Sequence, residues 1–144
     1  MRNLLAAALA VAVLACSHAP VRPVAIEVDV RDAARMAARG EAVIVDVREQ
    51  AELATGMAAP AIWVATSAIE KDPAALRKAL GADAGGRWVL FYCAAGRRAA
   101  RAVQAASLQG FRAASIVSYA RWVAAGLPTR APSDLPPPVA RQEI

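Results

Sequence analysis

The sequence predicts an α/β fold, with a single domain built on a mostly parallel five-stranded sheet that carries helices on both faces. Two continuous apolar runs, residues 42–46 and 88–92, are typical of strands buried on both sides. Segments with helical spacing separate the candidate strands, and each is long enough to hold one crossover helix. The length of 144 residues allows one domain and one hydrophobic core.

The first predicted elements are a strand, a helix and a second strand. Residues 25–29 alternate between apolar and polar side chains, which indicates a short edge strand. Residues 30–39 have helical spacing, and Gly40 is placed to end that helix. The apolar strand at 42–46 follows directly.

The middle of the chain predicts two further helices around a short strand. Residues 48–54 have helical spacing and stop at Gly56. A third strand is predicted at 61–64. Pro73 suits the first turn of a helix that runs over residues 73–80.

The last elements repeat the alternation. The strand at 88–92 is the most apolar in the chain, and residues 99–108 form a helical pattern after it. A fifth strand is predicted at 113–117 and a final helix at 119–125, so the strands run in the same direction along the sheet.

Charge and composition exclude a nucleic-acid surface as the main feature. The net charge is +5, from 17 basic and 12 acidic residues. The basic residues are spread along the whole chain, without the clustered stripe or interleaved aromatic residues of a nucleic-acid binder. We therefore expect no nucleic-acid partner.

The chain ends are predicted to lie outside the domain. Residues 1–16 combine a positive start with a short apolar stretch and are typical of an export signal. Cys16 follows a small residue, as in a bacterial lipoprotein signal, so we expect lipidation at Cys16 and a periplasmic domain anchored at the outer membrane. Simple secretion, with Cys16 removed, is the alternative. Residues 17–24 form a tether, and the Pro-rich tail 131–144 is predicted to be extended.

Cys93 is the candidate catalytic residue. It follows the strand at 88–92 and precedes a helix, at the edge of a parallel sheet where ligands bind. Unpaired amides of the first helical turn, the helix dipole and two nearby arginines all stabilise a thiolate there. With Cys16 on a tether or removed, Cys93 is the one thiol of the domain. The alternative is a buried structural cysteine.

Two sequence motifs of this chain resemble those of a known family. The sequence resembles the rhodanese domain over residues 26–129, nearly all of the predicted domain at 25–130, and small exported single-domain thiosulfate sulfurtransferases in particular. The resemblance rests on the following residues: Asp46, Val47, Arg48, Glu49, Glu52, Gly56, the Cys-x-x-Gly-x-Arg loop at 93–98, Trp122, Gly126, Leu127 and Pro128.

The resemblance implies a sulfurtransferase. Cys93 would take sulfane sulfur from a small anionic donor such as thiosulfate, and a cyanide or thiol acceptor, or a protein partner that supplies persulfide, would complete the exchange. The loop amides would surround the sulfur, and the arginines would bind the anion, with Arg98 expected to matter more than Arg97 and more than Arg101. The substrate-binding residues expected on this basis are Ala94, Ala95, Gly96, Arg97 and Arg98.

Asp46 and Arg48 are expected to have a supporting role, as the family's structural pair near the rim of the site. Glu52 is expected to be the partner of Arg48 or a solvated helix residue. The one histidine, His18, lies outside the domain, so no Cys-His dyad is expected there. Neither a metal site nor a cofactor is indicated by the spacing of possible ligands.

Two alternatives and two departures accompany this interpretation. The site could instead serve a persulfide carrier or redox-partner module with little turnover of small molecules, or an inactive rhodanese-like binding domain. Four residues separate Cys93 from Arg98, a tighter loop than the one in cysteine phosphatases, which disfavours a phosphatase. The segments 57–60 and 117–118 depart from the usual family pattern, and both border the mouth of the site.

Overall fold

The computed structural model describes residues 26–131 and Ser133. Its centre is a parallel sheet of four strands in the order β3, β1, β4, β5. A separate antiparallel pair joins β2 to β6. The strands are β1 (Ala42–Asp46), β2 (Met57–Ala58), β3 (Ile62–Trp63), β4 (Trp88–Cys93), β5 (Arg112–Ser118) and β6 (Thr129–Arg130).

Helices cover both faces of the sheet, as predicted. They are α1 (Val30–Ala38), α2 (Thr66–Lys71), α3 (Ala74–Leu80), α4 (Arg97–Leu108) and α5 (Tyr119–Ala124), with short 3-10 helices at Gln50–Thr55 and Gly81–Ala84. One apolar core packs α2, α3 and α4 against one face of the sheet, and a second packs α1 and α5 against the other. Alternate residues of β1 and β4 enter the two cores, which is why both strands are apolar throughout.

The central sheet has four strands rather than the predicted five, because the edge strand predicted at 25–29 is reduced to one bridge. Glu27 pairs with Ser115 beside β5, and the amide of Val28 donates to the Ser115 carbonyl at 2.8 Å. Asp29 then caps α1 by accepting from the amide of Arg31, so the chain turns into the helix after three extended residues.

Register brings the predicted site residues to one edge. In the parallel pairing of β1 with β4, Asp46 lies beside Tyr92, one residue before Cys93. The carboxyl ends of the two central strands therefore meet where a doubly covered sheet binds its ligands.

Several sequence predictions lie outside the described residues. These are the export signal 1–16 with Cys16, the tether 17–24, and the tail 131–144 apart from Ala131 and Ser133. Within the described part of the chain, no helix has the length and apolar character needed to cross a bilayer.

Candidate active site

Cys93 is the last residue of β4, and Gly96, three residues later, is the N-cap of the helix α4. The amide of Gly96 donates to Cys93 Sγ at 3.0 Å. Gly96 has φ 89°, a left-handed conformation that side chains disfavour, so glycine is needed for this amide to face the sulfur. Among the described residues, Gly96 supplies the one loop amide that is bonded to Sγ, where the sequence predicts a ring of them.

A cavity of about 450 Å³ lies over the sulfur. Cys93 itself is 1% exposed, so the thiol is reached through this cavity rather than from open surface. Four of the five predicted substrate-binding residues line the cavity, together with Cys93 and one more arginine, whereas Gly96 does not: the lining is Cys93, Ala94, Ala95, Arg97, Arg98 and Arg101. We call it the sulfur pocket.

The three arginines of the sulfur pocket differ in their partners. Arg98 makes two hydrogen bonds to the Glu52 carboxylate, at 2.5 and 2.6 Å. Arg101 pairs with Glu70 at 3.3 Å on the surface. Arg97 is exposed and makes no ion pair with any described residue, so its guanidinium is free to bind an anion.

The expectation for Glu52 was wrong: its carboxylate is the partner of Arg98, not of Arg48. Arg48 reaches only the backbone carbonyl of Glu52, at 3.2 Å. Hydrogen bonds from Arg98 hold the pKa of Glu52 at about 2, and the same bonds raise the pKa of Arg98, with a smaller contribution from Cys93. The pair is therefore ionised beside the sulfur at neutral pH.

Asp46 and Arg48 form a buried ion pair behind the pocket. Their side chains are 0% and 3% exposed, and Arg48 Nη2 lies 2.6 Å from Asp46 Oδ2. The same nitrogen donates to the Gly56 carbonyl at 2.6 Å, which fixes the loop after the 3-10 helix. Burial acts to lower the pKa of Arg48, but the hydrogen bond and charge of Asp46 outweigh it and raise that pKa. Neither side chain lines the sulfur pocket, in keeping with the supporting role expected of them.

Two tyrosines complete this network. Tyr92 donates from its hydroxyl to Asp46 Oδ2 at 2.7 Å, and burial together with the Asp46 charge raises its pKa. The guanidinium of Arg48 lies 4.2 Å from the ring centre of Tyr119, and the Tyr119 hydroxyl donates to the Thr55 carbonyl. Tyr119 could not be predicted as part of this network, because only the tertiary fold brings its ring onto Arg48.

A second, larger groove of about 680 Å³ adjoins the sulfur pocket. Ala94 lines both cavities, and the Glu52–Arg98 ion pair stands between them, since Glu52 lines the groove and Arg98 lines the pocket. The groove, which we call the apolar groove, is lined by Arg48, Glu52, Thr55, Ala94, Tyr119, Ala120, Val123 and Ala124.

The departure at residues 117–118 has a visible structural consequence. Val117 has φ 65°, a left-handed conformation that is unfavourable for a β-branched residue. Its carbonyl oxygen and one methyl group lie against the Cα side of Gly96. The pairing of β4 with β5 shifts here, so that Cys93 lies beside Ser118. The strained residue therefore packs against the loop that holds the sulfur.

The departure at residues 57–60 builds local structure instead. Met57 and Ala58 form β2 and are fully buried. The amide of Ala58 donates to the Tyr92 hydroxyl at 3.0 Å, and Met57 Sδ accepts from Arg130 at 3.3 Å.

Within the described residues, no group of three or more His, Cys, Asp or Glu side chains is arranged to hold a metal ion.

Comparisons with known proteins agree with this geometry. The family model for the Rhodanese-like domain matches residues 29–125. A rhodanese-related protein of Thermoplasma volcanium is similar in structure, with TM-score 0.60 and 24% identity over 73% of this chain and 97% of that one. The human single-domain sulfurtransferase aligns with TM-score 0.58 and 26% identity over 69% of this chain and 96% of its own.

A larger enzyme shares the fold over part of its length. The thiosulfate sulfurtransferase of Pseudomonas aeruginosa aligns with TM-score 0.58 and 22% identity, over 74% of this chain and 20% of that one. No curated protein sequence is significantly similar. Because the family model spans well over half of the sequence, this chain belongs to the rhodanese-like domain family.

Proposed function

We propose that the protein is a sulfurtransferase that works through a persulfide on Cys93. The Cys93 thiolate attacks the outer sulfur of a thiosulfate-like anion, the S–S bond of the donor breaks, and its electron pair leaves with sulfite. The acceptor, cyanide or a thiolate, then takes the outer sulfur and returns Cys93 to the thiolate. The observation that carries the proposal is Cys93 Sγ at the floor of an arginine-lined pocket, 3.0 Å from the Gly96 amide.

Charge around the pocket supports an anionic donor. Arg98 and Arg101 are paired with acids, whereas Arg97 has no acidic partner among the described residues. A guanidinium offers several N–H donors in a plane, which suits the oxygens of thiosulfate. We therefore assign the main donor contact to Arg97 rather than to Arg98, as the resemblance had implied, because Arg98 is held by Glu52 beside the sulfur.

The test is the formation of thiocyanate from thiosulfate and cyanide by the purified domain. The wild type should turn over, and Cys93→Ser should be inactive although a serine barely changes the volume of the site. Ser118→Ala, beside Cys93 in the sheet but outside the pocket lining, serves as a control that should retain activity. Absence of thiocyanate together with rapid persulfidation by a protein partner would favour the carrier function instead.

We also propose that the domain is exported to the periplasm and anchored through a lipid on Cys16. The support is the sequence of residues 1–16 alone. In cell fractionation, the wild type should sediment with outer membranes and Cys16→Ala should be released. Equal membrane association of both proteins would contradict the anchor.

A further inference from the structure

The apolar groove has the size and lining of a site for a small organic molecule. Its volume of about 680 Å³ lies within the usual range for ligand pockets, and most of its wall is aliphatic or aromatic. Val123 is one of three large hydrophobic side chains that are markedly exposed in the described chain, at 50%. An exposed valine on the wall of a groove is available to pack against a ligand.

The two charged side chains that line the groove are already paired with other residues. Arg48 is paired with Asp46 and covered by the Tyr119 ring. Glu52 is engaged by both terminal nitrogens of Arg98. An occupant that complements this surface is therefore neutral and apolar along its body, in contrast to the anion expected in the sulfur pocket.

The groove is also placed beside the reacting sulfur. Ser118 lies next to Cys93 in the sheet, and the helix α5, which forms one wall of the groove, begins at the following residue. Ala94, the neighbour of Cys93 in the chain, lines both cavities. A molecule held along α5 can therefore extend a terminal atom toward the sulfur pocket.

We propose that the apolar groove binds the body of the sulfur acceptor, and that this acceptor is a thiol with an apolar or aromatic group. The inference rests on the proposed persulfide function. The acceptor thiolate attacks the outer sulfur of the Cys93 persulfide, a new S–S bond forms on the acceptor, and the old S–S bond breaks. The electron pair of that bond returns to Cys93 as thiolate, and the acceptor leaves as a hydropersulfide. No oxidant or reductant is consumed.

Direct binding tests the groove without any sulfur transfer. Benzyl methyl sulfide resembles the acceptor but has no thiol to react, and NMR shifts of the Val123 methyl groups would report its binding. Ala120→Trp fills the groove from an exposed position of α5 and should abolish those shifts. The proposal is overturned if the wild type shows no saturable shift, or if Ala120→Trp leaves it unchanged.

Acceptor selectivity tests the role of the groove in transfer. Cys93 is first loaded from thiosulfate, and loss of its extra sulfur is followed with benzyl thiol or 2-mercaptoethanol at equal thiolate concentration. The wild type should favour benzyl thiol by about tenfold, and Val123→Ser should reduce that preference by about fivefold, since burial of each methylene contributes roughly 0.8 kcal/mol. Equal rates for the two thiols in the wild type would overturn the proposal.

Leu108→Ser is the matched control. Leu108 is 84% exposed at the far end of α4, about 18 Å along the helix from the sulfur loop. It should keep the full preference. If Cys93 never acquires sulfur, the proposed function is contradicted, and the binding experiment alone then tests whether the groove holds an apolar ligand. A change of molecular mass in solution on Val123→Ser would assign the groove to a second copy and overturn the proposal.

Discussion

Two arginine–carboxylate pairs lie at the same edge of the sheet, and their surroundings separate their roles. The Asp46–Arg48 pair is 0% and 3% exposed and is tied to the Gly56 carbonyl and the Tyr92 hydroxyl. The Glu52–Arg98 pair is 34% and 24% exposed and faces two cavities. A fully buried pair that loses one member leaves an uncompensated charge, whereas a partly exposed pair can be hydrated. The first pair therefore maintains the fold, and the second adjusts the charge beside the sulfur.

The largest expected effect is the loss of the buried pair. Asp46→Asn leaves the Arg48 guanidinium without a counter-charge in the core, which should lower the free energy of unfolding by about 3–5 kcal/mol. Glu41→Gln breaks the exposed Arg39–Glu41 pair and should change the free energy of unfolding far less. Urea denaturation of both variants measures the difference. Similar losses in the two would contradict the separation of buried from exposed pairs.

The next effect concerns the unpaired arginine of the sulfur pocket. Arg97→Ala should raise KM for thiosulfate about tenfold, because it removes a charge-assisted hydrogen bond of roughly 1.5–3 kcal/mol. Arg101→Ala is the matched control and should change KM by less than about twofold, since Arg101 is already paired with Glu70. Initial rates at varied thiosulfate concentration measure KM in both variants. Equal changes in KM would contradict the assignment of the donor contact to Arg97.

A smaller effect is expected at the partly exposed Glu52–Arg98 pair. Glu52→Gln removes the negative charge that offsets Arg98, so KM for thiosulfate should fall by about two- to fivefold while stability changes by less than about 1 kcal/mol. Glu41→Gln, which removes a carboxylate at the opposite end of β1, is the control and should leave KM nearly unchanged. A rise of KM in Glu52→Gln would mean that the carboxylate mainly positions Arg98.

The pH dependence of this pair follows from its pKa. Arg98 lowers the pKa of Glu52 from 4.5 to about 2. The stability that this carboxylate contributes is therefore fully present above pH 4.5 and is lost as the pH falls toward 2. Acid denaturation of the wild type should show this loss, and Glu52→Gln should lack that part of the curve. Identical acid profiles would contradict an ionised pair in the folded protein.

The smallest effect is expected at Val117. Val117→Gly should raise the free energy of unfolding by about 1 kcal/mol, because the left-handed conformation of Val117 is a strain that glycine does not have. Val123→Gly, in the helix α5, should instead lower it by roughly 0.5 kcal/mol, the difference in helix propensity between valine and glycine. Opposite signs in urea denaturation are the expected result. A loss in Val117→Gly would show that the packing of Val117 on the sulfur loop outweighs its strain.

The fold could be predicted because its central strands have apolar sequences that can be recognised from adjacent residues alone. The central strands β1 and β4 are buried on both faces, and their continuous apolar sequences predict that burial. The helix α2 was missed because its start is fixed from a distance. Glu49 accepts from the amide and hydroxyl of Ser67, 18 residues further along the chain. A window of sequence around α2 contains no such signal.

The site was predictable to the same extent. The loop of Cys93 and Gly96 is local, so its turn and its nucleophile could be inferred from adjacent residues. The partner of Glu52 could not, since Arg98 lies 46 residues away and Arg48 only four. Burial determines which arginine pairs with Glu52. Because Arg48 is paired with Asp46 in the core, the Glu52 carboxylate pairs with Arg98.

The most direct test of the account is the mass of the intact protein after incubation with thiosulfate and removal of excess donor. The wild type should gain the mass of one sulfur atom, located on the peptide that contains Cys93, and cyanide should remove it. Cys93→Ser should gain nothing under the same conditions. An unchanged wild-type mass, or an equal gain in Cys93→Ser, would contradict sulfur transfer through this residue.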